Sequence, residues 1–376
     1  MEILLEEFYK QDLHTPQYIE RRYFLDERSY QVNGISQSGK TALIKHTLLG
    51  YKKSSYLYID CNDLRIDVEQ LNETLTRFCN QNDITAVALD NYREEIALPK
   101  VKQLIIASVD HYDYPELKSI KLYPLDFEGF LAFEPRYDES ALNHFFQLGG
   151  FPAMHRVSSE ERIRYIQKSL KHALSDIGFD IVMLATNLMS QKVSAFMLYE
   201  RLKSARKISK DKLYTNFVQL TTQGYLYQLE KFNHAKAVKK LYLCDTSIKN
   251  ALSTQKHFGR LFENMVYLEM VKKEFTLYYE EDIDFYIPEQ NRVVLCMPFG
   301  NQEALFKKIE KLEGFIITHS VTKVEVVTMT NESSLQHPFV TVEMIPFSIW
   351  ALTEGEDETE TEDPQPTKIS FDGLLD

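Results

Sequence analysis

Gly34-Ile35-Ser36-Gln37-Ser38-Gly39-Lys40-Thr41 decides how the rest of the chain is read. The stretch fits GxxxxGK[ST], with residues 30–32 predicted as a strand before it and residues 40–49 as a helix after it, the setting a phosphate-binding loop needs. Its glycines let the backbone curl until N–H groups face phosphate oxygens, and the following helix N-terminus adds partial positive charge. In such a loop Lys40 reaches the β- and γ-phosphates and the Thr41 hydroxyl ligates Mg²⁺. Gly34, Ser36, Gln37, Ser38 and Gly39 complete the cradle. ATP with Mg²⁺ is the ligand these residues predict.

A loop of this kind works with an acid at the end of a neighbouring strand. Ala86-Val87-Ala88-Leu89-Asp90 is a short apolar run ending in a carboxylate. Asp90 is expected to hold the Mg²⁺ water shell, with Lys40 its catalytic companion. Asn91 follows, where many ATPases carry a glutamate that polarises the attacking water. An amide has no basic oxygen, so any hydrolysis is expected to be slow, and whether the chain is an enzyme stays open. Glu94 and Glu95 read either as a substitute base or as a solvated helix face, since exposed acids are common. Ser108 reads equally as a γ-phosphate sensor or as a plain strand-end serine.

Further strands are predicted at 56–60, 103–108 and 120–123, with a helix over 68–79 carrying Leu71, Leu75 and Phe78 on one face. Strands alternating with helices imply a parallel sheet. After Pro124 the pattern turns helical through residue 200, broken by Gly149-Gly150-Phe151-Pro152. Residues 195–230 read as a helix, a turn and a second helix closed by Gly224, with 225–229 and 239–243 as wing strands. That order is a DNA-reading layout. Arg201, Lys203, Arg206, Lys207, Lys210 and Lys212 put six cations in twelve residues, opposed within that stretch by Asp211 alone. Arg206, Lys207, Lys210 and Lys212, at the turn and the start of the second helix, are the candidate DNA contacts. Lys231, Lys236, Lys239 and Lys240 would extend them onto a basic wing. A solvated face on a protein-binding module accounts for the same pattern, so DNA and a protein partner both remain open.

The whole chain, 376 residues with a net charge of -12, is no generic polyanion binder, so nucleic-acid contact has to come from such a local patch. Its length suggests two or three domains. The four cysteines, Cys61, Cys79, Cys244 and Cys296, lie far apart with no CxxC spacing, which argues against a disulfide framework or a zinc site. No basic segment precedes an apolar core at the start, and no window approaches ~20 uninterrupted apolar residues. A cytoplasmic protein without membrane contact is therefore expected. Residues 354–363 hold seven Asp or Glu in ten positions, a composition expected to stay disordered.

The order of these features resembles a family. The P-loop, the Asp90 strand, Ile105-Ile106-Ala107-Ser108 and Leu122-Tyr123-Pro124-Leu125-Asp126-Phe127-Glu128-Gly129-Phe130 are similar to prokaryotic AAA+-type ATPases of the archaeal-ATPase group. A C-terminal domain of unknown function usually follows there. Gly149-Gly150-Phe151-Pro152, Leu241-Tyr242-Leu243-Cys244-Asp245-Thr246, residues 258–264 and Asp282-Ile283-Asp284-Phe285 resemble its signatures. The resemblance covers about residues 20–300. Three departures stand out: the P-loop lacks the arginine many members carry, Asn91 replaces the usual glutamate, and no Gly-Arg pair precedes Leu122, where only Lys118 and Lys121 are close.

The resemblance implies a winged helix followed by a restriction-endonuclease-like fold, which cuts with an acid on a helix, an Asp, and a Glu-x-Lys on the next strand. Glu263 and Asp284 fill the first two places. The next strand, Arg292-Val293-Val294-Leu295-Cys296-Met297, offers neither carboxylate nor lysine, so an inactive nuclease domain is expected, with Glu263 capping or orienting its helix. The predicted fold is α/β throughout: an N-terminal P-loop NTPase with a parallel sheet at 1–130, a helical linker or lid at 131–190, a winged-helix-like segment at 191–245, a nuclease-like α/β domain at 246–350, and an acidic tail at 351–376.

Overall fold

The computed structural model describes residues 1–14, 18–19, 21, 23–134 and 140–353; the acidic stretch expected at 354–363 lies outside them. The chain opens with α1 (Glu2–Lys10), β1 (Tyr30–Asn33), α2 (Lys40–Leu49), β2 (Tyr56–Asp60), α3 (Val68–Gln81), β3 (Ala86–Asp90), β4 (Gln103–Ser108) and β5 (Lys118–Lys121). The five strands form one sheet in the order β2-β3-β4-β1-β5, with every pairing parallel.

The side-chain alternation of the strands accounts for its layering. Leu57, Ile59, Val87, Leu89, Leu104 and Ile106 face α1 and α3 through Leu5, Leu71, Leu75 and Phe78. Tyr56, Tyr58, Ala86, Ala88, Ile105 and Ala107 face α2 through Leu43 and Ile44. A sheet covered on both sides explains why β3 and β4 are buried at every position. This mixed α/β unit with a parallel sheet is compatible with a P-loop NTPase. One strand shifts from its predicted place, since β5 is Lys118–Lys121 and not 120–123. As an edge strand it tolerates exposed lysines, whereas Leu122 and Tyr123 leave the sheet to pack under the P-loop, Leu122 N donating to Asn33 O at 2.6 Å.

Helices follow: α4 (Phe127–Leu131), α5 (Ser140–Leu148), α6 (Arg162–Ala173) and α7 (Asp176–Leu188). After the short β6 (Gln191–Lys192) come α8 (Ala195–Ala205) and α9 (Lys210–Gln223), capped by Ser194 and Ser209 hydroxyls, with Gly224 left-handed at the end of α9 (φ 84). β7 (Leu226–Lys231) and β8 (Lys240–Leu243) pair antiparallel. The remainder is α10 (Thr246–Leu252), α11 (Phe258–Lys272), β9 (Tyr278–Glu280), β10 (Ile283–Ile287), β11 (Arg292–Cys296), α12 (Gln302–Thr318), β12 (Lys323–Thr328), β13 (Ser333–Gln336), β14 (Thr341–Pro346) and α13 (Phe347–Thr353).

The β7–β8 hairpin and the C-terminal strands make one nine-stranded mixed sheet, β13-β14-β12-β11-β10-β9-β7-β8-β6, joined where β7 runs parallel to β9 at Glu230–Tyr278 and Lys231–Tyr279. One apolar core joins Ile35 of the loop at 34–41 to residues between Leu125 and Ala351, shared by α4–α11, α13 and one face of this sheet. Among the described residues no helix is long and apolar enough to cross a membrane.

Candidate functional site

The P-loop bridges β1 and α2. Gly34 has no alternative, because a Cβ there would overlap the Leu122 carbonyl. Gln37 (φ 71) and Gly39 (φ 99) turn the chain left-handed, as the loop's curl demands. Lys40 is buried, its Nζ donating to Gly34 O at 2.6 Å and Ile35 O at 3.0 Å. Burial lowers its pKa to about 8, against a smaller opposing pull from Asp90. Ser38 is fully buried and its Oγ has no hydrogen-bond partner among the described residues.

Asp90 ends β3 beside the loop. Its Oδ2 accepts from Thr41 Oγ1 at 2.6 Å and from the Tyr58 hydroxyl at 2.8 Å, while its Oδ1 accepts from Asn91 N at 3.0 Å. Asn91 sits left-handed (φ 53) and donates from Nδ2 to Asp60 Oδ1 at 2.8 Å. Asp60 ends β2, and no motif marks it. Glu94 and Glu95 are exposed and do not line the cavity in front of Lys40. Ser108 turns its hydroxyl to the Asp110 amide at 3.0 Å.

A cavity of about 410 Å³ opens in front of these groups, lined among others by Tyr18, Ser36, Gln37, Gly39, Lys40, Thr41 and Asn91. Cationic or titratable side chains that the motif did not indicate also line it: Arg21, Arg156 and His172. Arg21 clasps the loop, donating to Ser38 O and Tyr123 O at 2.7 Å each. Two tyrosines from elements beyond the parallel sheet reach the same loop. Tyr165 of α6 donates to Gln37 Oε1 at 2.5 Å, and Ser36 N donates to the buried Tyr225 hydroxyl at 3.3 Å. Beside that contact Gln223, the last residue of α9, donates to Asp110 Oδ1 at 2.8 Å. The corner between α9 and β7 thus rests on the end of the parallel sheet that carries the loop.

The helix pair is only partly free. Arg206 forms an ion pair with Asp180. Lys207, Lys210 and Lys212 are exposed, and Lys210 lies over the Phe196 and Tyr214 rings. The expected basic wing is largely neutralised: Lys231 pairs with Glu280, Lys239 with Glu230 and Lys240 with Glu263.

That last pair alters the picture of the second carboxylate site. β11 has no lysine to offer, but Lys240 arrives from β8, with Nζ 2.9 Å from Glu263 Oε1 and 3.7 Å from Asp284 Oδ1. Tyr242 donates to Glu263 at 2.7 Å, and Cys296 N to Asp284 at 2.8 Å. Glu263 therefore does not cap its helix; it lies inside α11 and ties it to β8. Burial and then Asp284 raise its pKa, and Lys240 opposes both. Among the described residues no group of three or more His, Cys, Asp or Glu is arranged to hold a metal.

No protein-family model matches the chain. A protein of Methanocaldococcus jannaschii, described as uncharacterized, is 24% identical over 86% of this chain and 88% of its own. Among solved structures, the Aeropyrum pernix ORC1 protein in complex with DNA aligns with 12% identity over 60% of this chain and 86% of that one. Its TM-score is 0.30, a level that does not define a shared fold.

Proposed function

We propose that the chain binds Mg·ATP at residues 34–41, turns it over slowly, and couples nucleotide state to DNA binding by α8 and α9. One observation carries the nucleotide reading. Lys40 is a buried ammonium answered by backbone carbonyls and facing a cavity. A desolvated cation in such a place is stabilised by an anionic ligand. The orphaned Ser38 Oγ fits the same picture. Thr41 and Asp90 would hold the Mg²⁺ that bridges the phosphates. The contacts of Tyr225 with Ser36 and of Gln223 with Asp110 support the coupling, since whatever rearranges the loop bears on α9. A second reading, a weakly hydrolysing switch for a protein partner with an inactive nuclease domain, is favoured by Asn91 and by the ion-paired Glu263. Isothermal titration with Mg·ATP tests the first step: the parent chain binds and Lys40→Ala loses most of the affinity. Equal affinity in the two removes the proposal.

A further inference from the structure

The outer face of α8 and α9 carries rings as well as charges. Phe196 is 52% exposed, and Tyr199 and Tyr214 are half-buried beside it. Phe196 and Tyr199 stand 6.4 Å apart, centroid to centroid. Lys210 Nζ lies 5.8 Å from the Phe196 ring and 5.4 Å from the Tyr214 ring, and Lys203 Nζ 5.4 Å from that of Tyr199. Rings and ammonium groups therefore alternate across the seam between the two helices. Lys207, Lys212 and Arg201 flank them, exposed and with no carboxylate in ion-pair distance among the described residues; Glu200 and Asp211 are the acids on the same stretch.

A duplex keeps its base faces stacked inside and presents edges and phosphates. Against such a partner an exposed phenylalanine between lysines gains little. Unpaired bases present their π-faces, and aromatic platforms inside a cationic surface hold them. The cation–π contacts keep each ammonium beside a ring, where one bound nucleotide can meet both, its base on the ring and its phosphate on the lysine. A protein partner would use the rings but leave unmatched the surplus of cations, which calls for a polyanion.

We infer that this face binds single-stranded nucleic acid by stacking bases on Phe196, Tyr199 and Tyr214 while Lys203 and Lys210 take the phosphates. The inference rests on the reading of α8 and α9 as the nucleic-acid element. Its test does not depend on the nucleotide site.

The experiment is fluorescence anisotropy of the full chain at low salt, with labelled oligo(dT) or oligo(U) of about twenty nucleotides and a duplex of equal length, a size that exceeds typical single-strand sites. Expected is a single-strand affinity well above that for duplex. Phe196→Ala with Tyr214→Leu should weaken it about ten- to a hundredfold and leave the salt slope unchanged. Lys203→Gln and Lys210→Gln should each reduce the slope by about 0.7. The DNA and RNA strands together report whether the sugar matters, and binding of either supports the inference. Duplex bound as tightly as single strand, ring variants with undiminished affinity, or no binding by a chain whose circular dichroism shows it folded each overturn it. A peptide partner would show as the last of these outcomes. Loss of ATP binding with oligo(dT) still bound would instead count against the nucleotide reading alone.

Discussion

The Gly150 amide donates to Asp245 Oδ2 at 2.6 Å, across 95 residues of chain. Asp245 Oδ1 accepts from Ser247 N at 2.8 Å, and the carboxylate is buried. Beside it Gly149 is left-handed (φ 67), and a Cβ there would overlap Asp245. The contact fixes the loop whose Pro152 lines the cavity in front of Lys40. Asp245→Ala strands three buried donors, Gly150 N, Ser247 N and Ser247 Oγ, at about 1–3 kcal/mol for each that finds no new partner. Urea denaturation should show a clear loss of stability, and Gly149→Ala should match it through strain and overlap. A variant as stable as the parent would mean that the latch does not hold the two segments together.

The depressed Lys40 pKa makes a pH prediction. Below about 8 the free protein already carries the ammonium. Bound phosphates raise its pKa again, so nucleotide affinity should be flat below that value. Above it, affinity should fall by up to about tenfold per pH unit. In the free protein the sign for stability is opposite to that of a salt-bridged lysine. Its folded pKa lies below the usual lysine value of 10.5, so this group's contribution rises as pH climbs from about 8 towards 10.5. Titrations with Mg·ATP on either side of pH 8 measure the first effect. A flat profile would show that Lys40 does not meet the ligand.

Asn91→Glu would restore the usual acid on motif grounds, yet the structure predicts no gain. Position 91 is left-handed, a conformation Asn tolerates and Glu pays about 1 kcal/mol to adopt. The new carboxylate would also face Asp60 in place of the present 2.8 Å hydrogen bond. Steady-state phosphate release should be no faster than in the parent. Adding Asp60→Asn relieves the repulsion and should raise the rate, with ~10²-fold the scale of a working base. A faster single variant would show that Asp60 is no obstacle.

Tyr225→Phe removes the acceptor of the Ser36 amide without changing ring volume. One hydrogen bond is worth about 0.5–1.5 kcal/mol, so ATP affinity should change by no more than about tenfold. The larger effect is expected on coupling, read as oligonucleotide affinity with and without ATP. If the variant keeps the parent's ratio, the α9–β7 corner does not carry the signal.

DNA incubated with the protein and Mg²⁺ or Mn²⁺ should remain uncut, because Lys240 already occupies the space between Glu263 and Asp284. Lys240→Met leaves two crowded acids unneutralised and should destabilise the fold by roughly 1–3 kcal/mol, below the range for fully buried pairs. Nicking that Asp284→Ala abolishes would make the site a working nuclease.

The loop at 34–41, the strand ending in Asp90 and the helix pair at 195–223 were legible because each is a local pattern: glycine spacing, an apolar run, a period of 3.6 with serine and glycine caps. Arg21, Asp60, Arg156, Tyr165 and Tyr225 carry no local signature. Each is an ordinary residue that tertiary packing brings to the loop or, for Asp60, to Asn91.

The sequence by itself determined the element types and the chemistry of the phosphate loop, since backbone conformation and side-chain class are properties of short stretches. Tertiary structure alone decided the partners. It made Gly149-Gly150 and Asp245 two halves of one contact, supplied Lys240 from β8 to a site whose own strand lacks a lysine, and gave the exposed Arg206 an ion pair with Asp180. Burial and electrostatic pairing act between elements far apart in the chain, and spacing along the chain does not record which of them will meet.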